Sequence, residues 1–202
     1  MVENNNSLVL RVLANSNSAK FIDAATEWRV VGVAIDDSCS GECICGKEQL
    51  KYLFKIRNVY NGNILYPIGS SCIEKFGQQE LSSDVKICEQ EIKLYQRFKN
   101  GEFVKLTTEF FSRRLIEHLF LQNAFPASEY NNQNGENDYE FLVKMFNART
   151  TPTDKQQKKI NALIVGPIRK FVLEKYRGRD IGGQGGQDGI SGQDKQGPSF
   201  GE

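Results

Sequence analysis

The stretch GECICGKEQLKYLFKIRNVYNGNILYPIGSSCIEKFG, residues 41–77, holds three of the five cysteines in the 202-residue chain. Cys43 and Cys45 are separated by one residue and followed by Gly46, and Cys72 lies near the end of the stretch. A structural zinc ion takes four ligands in a tetrahedron, with sulfur about 2.3 Å from the metal. A turn with two cysteines and a following glycine supplies half of such a site. The stretch therefore predicts a metal site, with a redox pair and ordinary packing of buried thiols as alternatives.

The residues between the cysteines predict a β-hairpin. Apolar residues alternate with polar ones over 51–57, and the run ILYPI follows at 64–68. Asn61 and Gly62 between these runs indicate a tight turn, because they tolerate positive φ. The segment 69–77 then predicts a helix of one or two turns that Gly77 ends. A cysteine turn, a hairpin and a short helix follow one another in treble-clef zinc modules, in which the helix start supplies the last ligands.

We expect one zinc ion to be the cofactor, with no small-molecule cofactor besides. The predicted ligands are Cys39, Cys43, Cys45 and Cys72. Cys72 lies in the first turn of the predicted short helix, where backbone amides favour the thiolate. Cys39 precedes Cys43 by four residues and completes the set. Cys88 is the alternative fourth ligand, although its helical surroundings are typical of a small buried hydrophobe.

The protein is expected in a cellular compartment in which thiols stay reduced. The first ten residues, MVENNNSLVL, lack the positive start and apolar core of a signal peptide, and no apolar run approaches the roughly 18 residues that span a bilayer. We therefore expect a cytoplasmic protein of a bacterium or of a phage-infected cell, without membrane contact. Thiols are reduced in that compartment, and the odd number of cysteines agrees with free or metal-bound thiols.

The flanking segments predict an α+β fold. Strands are expected at 7–13 and 27–36, with a short helix between them in 17–26. Apolar residues at helical spacing then predict helices over 84–99, 107–122, 137–148 and 158–165, with a last helix from 167 to 176. Thr153 and Gln156 match a capping box before the fourth of these helices, and Pro167 is expected to start the last one.

Three regions follow from this organisation. Residues 1–80 form the predicted treble-clef-like, zinc-binding α/β part, and residues 81–177 form a helical region. Half of the 18 glycines fall within 178–202, in a segment of Gly, Gln, Asp and Ser with little apolar surface to bury. Such a composition predicts a disordered tail.

Several segments resemble a group of small, mostly uncharacterised proteins of bacteria, phages and mobile elements. These proteins share a C-x-C-G turn, a Y-x-F-x-I-x-N strand and a G-S-x-C-I helix start, which correspond here to CICGK, LKYLFKIRN and NGNILYPIGSSCIEKFG. The resemblance covers residues 27–77 and, more weakly, 137–165. It implies a zinc-module fold rather than a reaction. Many of these proteins have His where this chain has Lys47, and that departure makes Cys39 more necessary as a ligand here.

The first functional hypothesis is nucleic-acid binding, to DNA or RNA and to single or double strands. A formal net charge of +1 excludes binding by bulk positive charge alone, so the local distribution of charge decides. Basic residues share one face of the predicted strand 51–57, and others cluster in the C-terminal helices. The predicted contact residues are Lys51, Lys55, Arg57, Tyr60, Lys75, Lys155, Lys158, Lys159, Arg169 and Lys170.

The alternative is a protein-interaction factor that binds and modulates a host enzyme or defence system, with zinc in a structural role only. An enzyme is less favoured, because the sequence offers no Ser/His/Asp set, phosphate-binding glycine loop or His-rich metal site. His118, the single histidine, lies at core spacing on a predicted helix and is expected to pack rather than to act as a base. We therefore expect a non-enzymatic protein.

Overall fold

The computed structural model describes residues 2–177 and 180–181 and has a mixed α+β fold, as predicted. The helices are α1 (Val2–Ala14), α2 (Phe21–Ala24), α3 (Ser70–Glu74), α4 (Gln79–Lys99), α5 (Arg113–Leu121), α6 (Glu136–Asn147), α7 (Asp154–Leu163) and α8 (Arg169–Tyr176). The strands are β1 (Trp28–Asp36), β2 (Tyr52–Asn58), β3 (Ile64–Ile68) and β4 (Asp180–Ile181). The rest of the predicted tail, 178–179 and 182–202, lies outside the described residues.

The sheet has the order β3-β2-β1-β4. β1, β2 and β3 are antiparallel neighbours, whereas β4 pairs in parallel with the last two residues of β1. The predicted hairpin is confirmed, and Gly62 in its turn has a φ of 78°, in the left-handed region that favours glycine. This hairpin brings the two ends of the stretch 41–77 to the same end of the sheet.

One face of the sheet covers the hydrophobic core. Val33, Phe54 and Ile56 are buried on this face, together with Trp28 at the start of β1. Side chains of α1, α4, α5 and α8 belong to the same cluster of buried residues, so both the 1–80 and the 81–177 segments contribute to it. The boundary between these two segments stays a prediction.

The predicted strand at 7–13 is wrong, because these residues belong to α1. Leu8 and Val12 are fully buried, whereas Leu10 between them is 67% exposed. A separation of four residues puts Leu8 and Val12 on one face of a helix. Short apolar runs do not separate a helix from a buried strand by periodicity, and the β-branched residues biased the prediction towards a strand.

The predicted break at Gly166-Pro167 is also wrong. A π-helical segment, Ile164–Ile168, joins α7 to α8 without interruption. Proline lacks a backbone N–H and its ring crowds the preceding turn, and a wider π turn accommodates both defects. Ile164 and Ile168 are fully buried and hold this segment against the core.

The starts of three further helices differ from the prediction, and one of them is α7, which begins at Asp154 rather than at 158. α4 begins at Gln79, five residues before the predicted start at 84. α5 begins at Arg113, where Ser112 caps it by accepting a hydrogen bond from the N–H of Leu115 at 3.1 Å. The capping box of Thr153 and Gln156 at the start of α7 is confirmed.

A buried carboxylate fixes the segment before β1. Glu27 is 2% exposed, and its oxygens accept hydrogen bonds from the N–H groups of Asn17 and Ser18 at 2.8 Å and from the Asn58 amide at 2.6 Å. Burial opposes ionisation, but these hydrogen bonds outweigh it and lower the pKa of Glu27 from 4.5 to about 2. The ionised carboxylate therefore ties the α1–α2 connection to β2.

We expect Glu27→Gln to destabilise the fold by about 2 to 3 kcal/mol at pH 7, because the N–H groups of Asn17 and Ser18 and the buried Asn58 amide would lose a charged acceptor. A depressed pKa in the folded state stabilises the protein above the unfolded-state value of 4.5, and this stabilisation is lost as the pH falls towards 2. Urea unfolding from pH 7 to pH 2.5 should therefore show a difference between wild type and variant that shrinks with acidity.

The exposed Glu48 supplies a matched control. Glu48→Gln should leave the unfolding free energy within about 0.5 kcal/mol of the wild-type value at each pH. A Glu27→Gln deficit that is the same at pH 7 and at pH 2.5 would contradict the assignment of the charge effect to this carboxylate.

Candidate metal centre and the open face of the sheet

Three of the four predicted ligands lie together. The sulfur atoms of Cys43, Cys45 and Cys72 are all within 4.8 Å of one another, and these residues are 2%, 4% and 2% exposed. Thiolates are preferred ligands of zinc and of softer metal ions. The cluster could therefore bind a metal ion through three sulfurs.

Backbone hydrogen bonds shape the turn that carries Cys43 and Cys45. The N–H of Gly46 donates to the Cys43 carbonyl at 2.7 Å, and the N–H of Cys43 donates to the Lys47 carbonyl at 2.8 Å. Gly46 has a φ of 86°, which a residue with a side chain rarely adopts. The N–H of Ile44 donates to the carbonyl of Pro67 at 2.9 Å and fixes the turn to β3.

The third cysteine comes from the first turn of α3, as predicted. The sulfur of Cys72 lies 3.3 Å from that of Cys45. The N–H of Gly69, directly before α3, donates to the sulfur of Cys43 at 3.4 Å. The cluster therefore joins the turn at 43–46 to the beginning of α3 across the end of the hairpin.

The cluster favours one thiolate even without a metal. A hydrogen bond from the Cys72 thiol lowers the pKa of Cys43 to about 5 against the opposing effect of burial, and backbone N–H groups of Cys45 and Gly69 add to it. The same hydrogen bond raises the pKa of Cys72, because this thiol supplies the proton, and burial adds to the effect. The lowered pKa of Cys43 favours its thiolate, which is the form of cysteine that binds a metal ion.

Cys39 is not part of this cluster. Among the residues that the structure describes, no fourth Cys, His, Asp or Glu lies within 4.8 Å of all three sulfurs. Cys39 is half-buried, has a φ of 53° and donates its N–H to the Asp36 carbonyl at 3.1 Å. The carboxylate of Asp36 in turn accepts hydrogen bonds from Ser38 and Ser40, which shape this loop. Cys39 as the fourth ligand stays a prediction.

Cys88 and His118 lie in another part of the molecule. Both line a cleft between β1 and helices α4, α5 and α8, and burial raises the pKa of the Cys88 thiol to about 12. Nearby, the fully buried Glu91 accepts hydrogen bonds from Lys175 at 2.7 Å and from the Tyr176 hydroxyl at 3.2 Å. The Nε2 atom of His118 lies 3.4 Å from the Lys175 ammonium. These polar groups connect α5 and α8 to α4.

The predicted nucleic-acid contacts fall into two groups. Those of the N-terminal part are all exposed, and Lys51 lies 3.6 Å from the carboxylate of Asp37. In the C-terminal helices, Lys159 is engaged by the carboxylate of Asp138 at 2.8 Å, and Arg169 donates to the Phe98 carbonyl at 3.5 Å. The remaining members of the second group, Lys155, Lys158 and Lys170, are exposed.

The sheet face opposite the core carries exposed basic and apolar side chains on β2 and β3 beside half-buried residues of β1, and we call it the open face. Its residues are Arg29, Gly32, Ala34, Lys55, Arg57, Ile64 and Tyr66. Directly paired residues of antiparallel strands point to the same side, and Arg57 pairs with both Arg29 and Ile64. Ile64 is 48% exposed and Tyr66 43% exposed. The open face therefore combines cations with an aromatic ring.

Sequence reasoning missed two members of this face. Arg29 comes beside Arg57 through the register of β1 and β2, which no local pattern specifies. Tyr66 is not among the predicted contact residues, and its exposure of 43% identifies it as a surface residue. The signal that could have found both residues is the alternation along each strand, once the strands are aligned across the sheet.

The loop before β2, which carries Gly41, Cys43 and Cys45, borders the open face. Leu53 points to the same side as Lys55 but is 5% exposed, because the loop before β2 covers it. A Cβ atom at Gly41 in this loop would crowd the end of the Leu53 side chain, so glycine permits the close approach of the loop. The cysteine cluster and the open face are therefore adjacent parts of one small module.

Comparisons of the chain with models of protein families, with curated proteins and with solved structures found no match. The interpretation of the site therefore depends on its own geometry and charges. Within the described residues, no helix has the length and apolar character needed to cross a membrane.

We expect the purified protein to contain about one zinc ion per chain by elemental analysis, and Cys43→Ser or Cys72→Ser to abolish this content. Each variant should lower the Tm by roughly 10 °C, because the turn and α3 would lose their link. Cys88→Ser is the matched control and should keep the zinc. Purified protein that contains no zinc, together with cysteine variants whose Tm equals that of the wild type, would contradict the metal site. A loss of zinc in Cys39→Ser would identify Cys39 as the fourth ligand.

Proposed function

We propose that the chain is a zinc-binding accessory protein that binds nucleic acid through the open face, without catalysing a reaction. The single observation that carries this proposal is the grouping of the exposed Lys55 and Arg57 with the exposed ring of Tyr66 on the side of the sheet that no described helix covers. Phosphate groups are bound by exposed Lys and Arg side chains, and bases stack on aromatic rings. The open face offers both kinds of contact within two neighbouring strands.

Zinc would have a structural role in this proposal. Three buried thiolates suit zinc, and a fourth ligand would complete a tetrahedral, treble-clef-like site. Cys39 or a water molecule could supply that ligand. When bound, the ion would hold the loop of Cys43 and Cys45 against α3 and would thereby fix the border of the open face.

The charges of the open face support phosphate binding although the whole chain is nearly neutral. Arg29 is half-buried, and its guanidinium pairs with Glu80 of α4 at 2.6 Å and donates to the Trp28 carbonyl at 2.8 Å, so phosphate binding depends on Lys55 and Arg57. Lys55 and Arg57 lie on the same strand, two residues apart, and are exposed. Their charges add locally, because residues two apart on one face of a strand lie only about 7 Å apart.

We expect labelled oligonucleotides to bind the protein in fluorescence anisotropy at 50 mM salt, and to lose affinity steeply as the salt concentration rises. Each phosphate contact should contribute about 0.7 to 0.9 to the slope of log affinity against log salt. Lys55→Ala and Arg57→Ala should each lower this slope by close to one contact. The exposed Lys105 lies outside the open face, so Lys105→Ala is the matched control.

Absence of binding at low salt, or equal effects of Lys55→Ala and Lys105→Ala, would contradict this proposal. The protein-interaction alternative is favoured by one observation, a cleft of about 500 Å³ lined by Phe103, Met145 and Phe146. Phe103 is 57% exposed there, and exposed aromatic residues are typical of protein interfaces. Copurification of a host protein that depends on Phe103 would support this second function.

A further inference from the structure

We infer that the open face binds single-stranded nucleic acid in preference to duplex. This inference rests on the proposed function, and it identifies the class of ligand for the same surface. Two observations support the preference for single strands: the shallow shape of the open face, and the hydrogen bonds that hold the hairpin tip against the end of α1.

The open face is shallow along β1. Gly32 and Ala34 lie opposite Lys55 and Leu53 in the register, so the side chains of β1 at this point are small. A Cβ atom at Gly32 would meet no atom within 4 Å. A shallow platform bordered by larger side chains gives unpaired bases room to lie flat on the sheet.

Tyr66 provides an aromatic surface for such a base. It lies on the edge strand β3 and is 43% exposed. Ile64, two residues away on the same strand, is 48% exposed and extends the apolar surface. Bases in a duplex are already stacked on each other, whereas a single strand can turn its bases towards the protein. Stacking on Tyr66 is therefore available mainly to unpaired bases.

The tip of the β2–β3 hairpin is not free to enter the major groove of a duplex. A duplex is read by a helix or a two-stranded ribbon that enters its major groove. The tip of the hairpin between β2 and β3 is held against the end of α1, because the Asn61 amide donates to the Asn15 carbonyl at 3.1 Å and to the Asn17 side chain at 3.0 Å. The Asn63 amide donates to the same Asn15 carbonyl at 3.2 Å.

Two basic side chains lie next to the small residues of β1. Arg57 and Lys55 lie on the central strand β2, between the ring of Tyr66 on one side and the small residues of β1 on the other. A strand that lays bases on the platform would bring its phosphates within reach of these two side chains. The binding mode would be tolerant of sequence, because every base has a face that can stack.

The test measures fluorescence anisotropy with single-stranded DNA and RNA 15-mers and with the duplex of the same sequence, all at one low salt concentration. We expect the single strands to bind at least tenfold more tightly than the duplex. Tyr66→Ala should weaken single-strand binding about tenfold, which is the order of one lost stacking contact. Tyr66→Phe, which retains the ring, should recover most of that loss.

Tyr130→Ala is the matched control, because Tyr130 is 93% exposed and lies outside the open face. Unchanged zinc content and circular dichroism would show that each variant is folded. Equal or tighter binding of the duplex would overturn the inference but not the proposed function, whereas no binding of any oligonucleotide would overturn both. Equal losses for Tyr66→Ala and Tyr130→Ala, or for Tyr66→Ala and Tyr66→Phe, would also overturn the stacking role.

Discussion

The approach of three buried sulfurs within 4.8 Å is the constraint on which the N-terminal module depends. The turn of Cys43 and Cys45 and the start of α3 are 27 residues apart in sequence, and the sulfur of Cys72 meets that of Cys45 directly. Contacts among three thiols alone are weak, but coordination of one metal ion by all three sulfurs would link the turn firmly to α3. Metal binding would therefore fix the loop that covers Leu53 and limits one end of the open face.

The rest of the molecule keeps this module in place from the other side of the sheet. Glu27 ties the connection after α1 to β2 through Asn58, and the same region holds the hairpin tip. The buried carboxylate of Glu91 connects helices at the far side of the core. The helices thus support one face of the sheet and leave the other exposed, so the molecule presents a basic and aromatic surface despite a net charge of only +1.

Local patterns predicted the hairpin, the short helix α3 and the grouping of three cysteines, because turn residues and alternation act over a few positions. Local patterns gave wrong predictions where tertiary packing determines the structure of a segment. Leu8 and Val12 form a helical face only in the presence of the core, and Pro167 stays within a helix because a π segment accommodates it. Arg29 joins the open face through strand register, and the separation of Cys39 from the cluster depends on the Asp36 loop, neither of which leaves a local signal.

Cys43, Cys45 and Cys72 could together hold one metal ion through their sulfur atoms. X-ray absorption at the zinc edge of the purified protein tests it most directly, since the number and distance of sulfur neighbours are measured at the metal. We expect at least three sulfur atoms at about 2.3 Å from the zinc, and one fewer in a variant such as Cys45→Ser that retains metal. A zinc environment of oxygen and nitrogen alone, or a sulfur count that Cys45→Ser leaves unchanged, would contradict it.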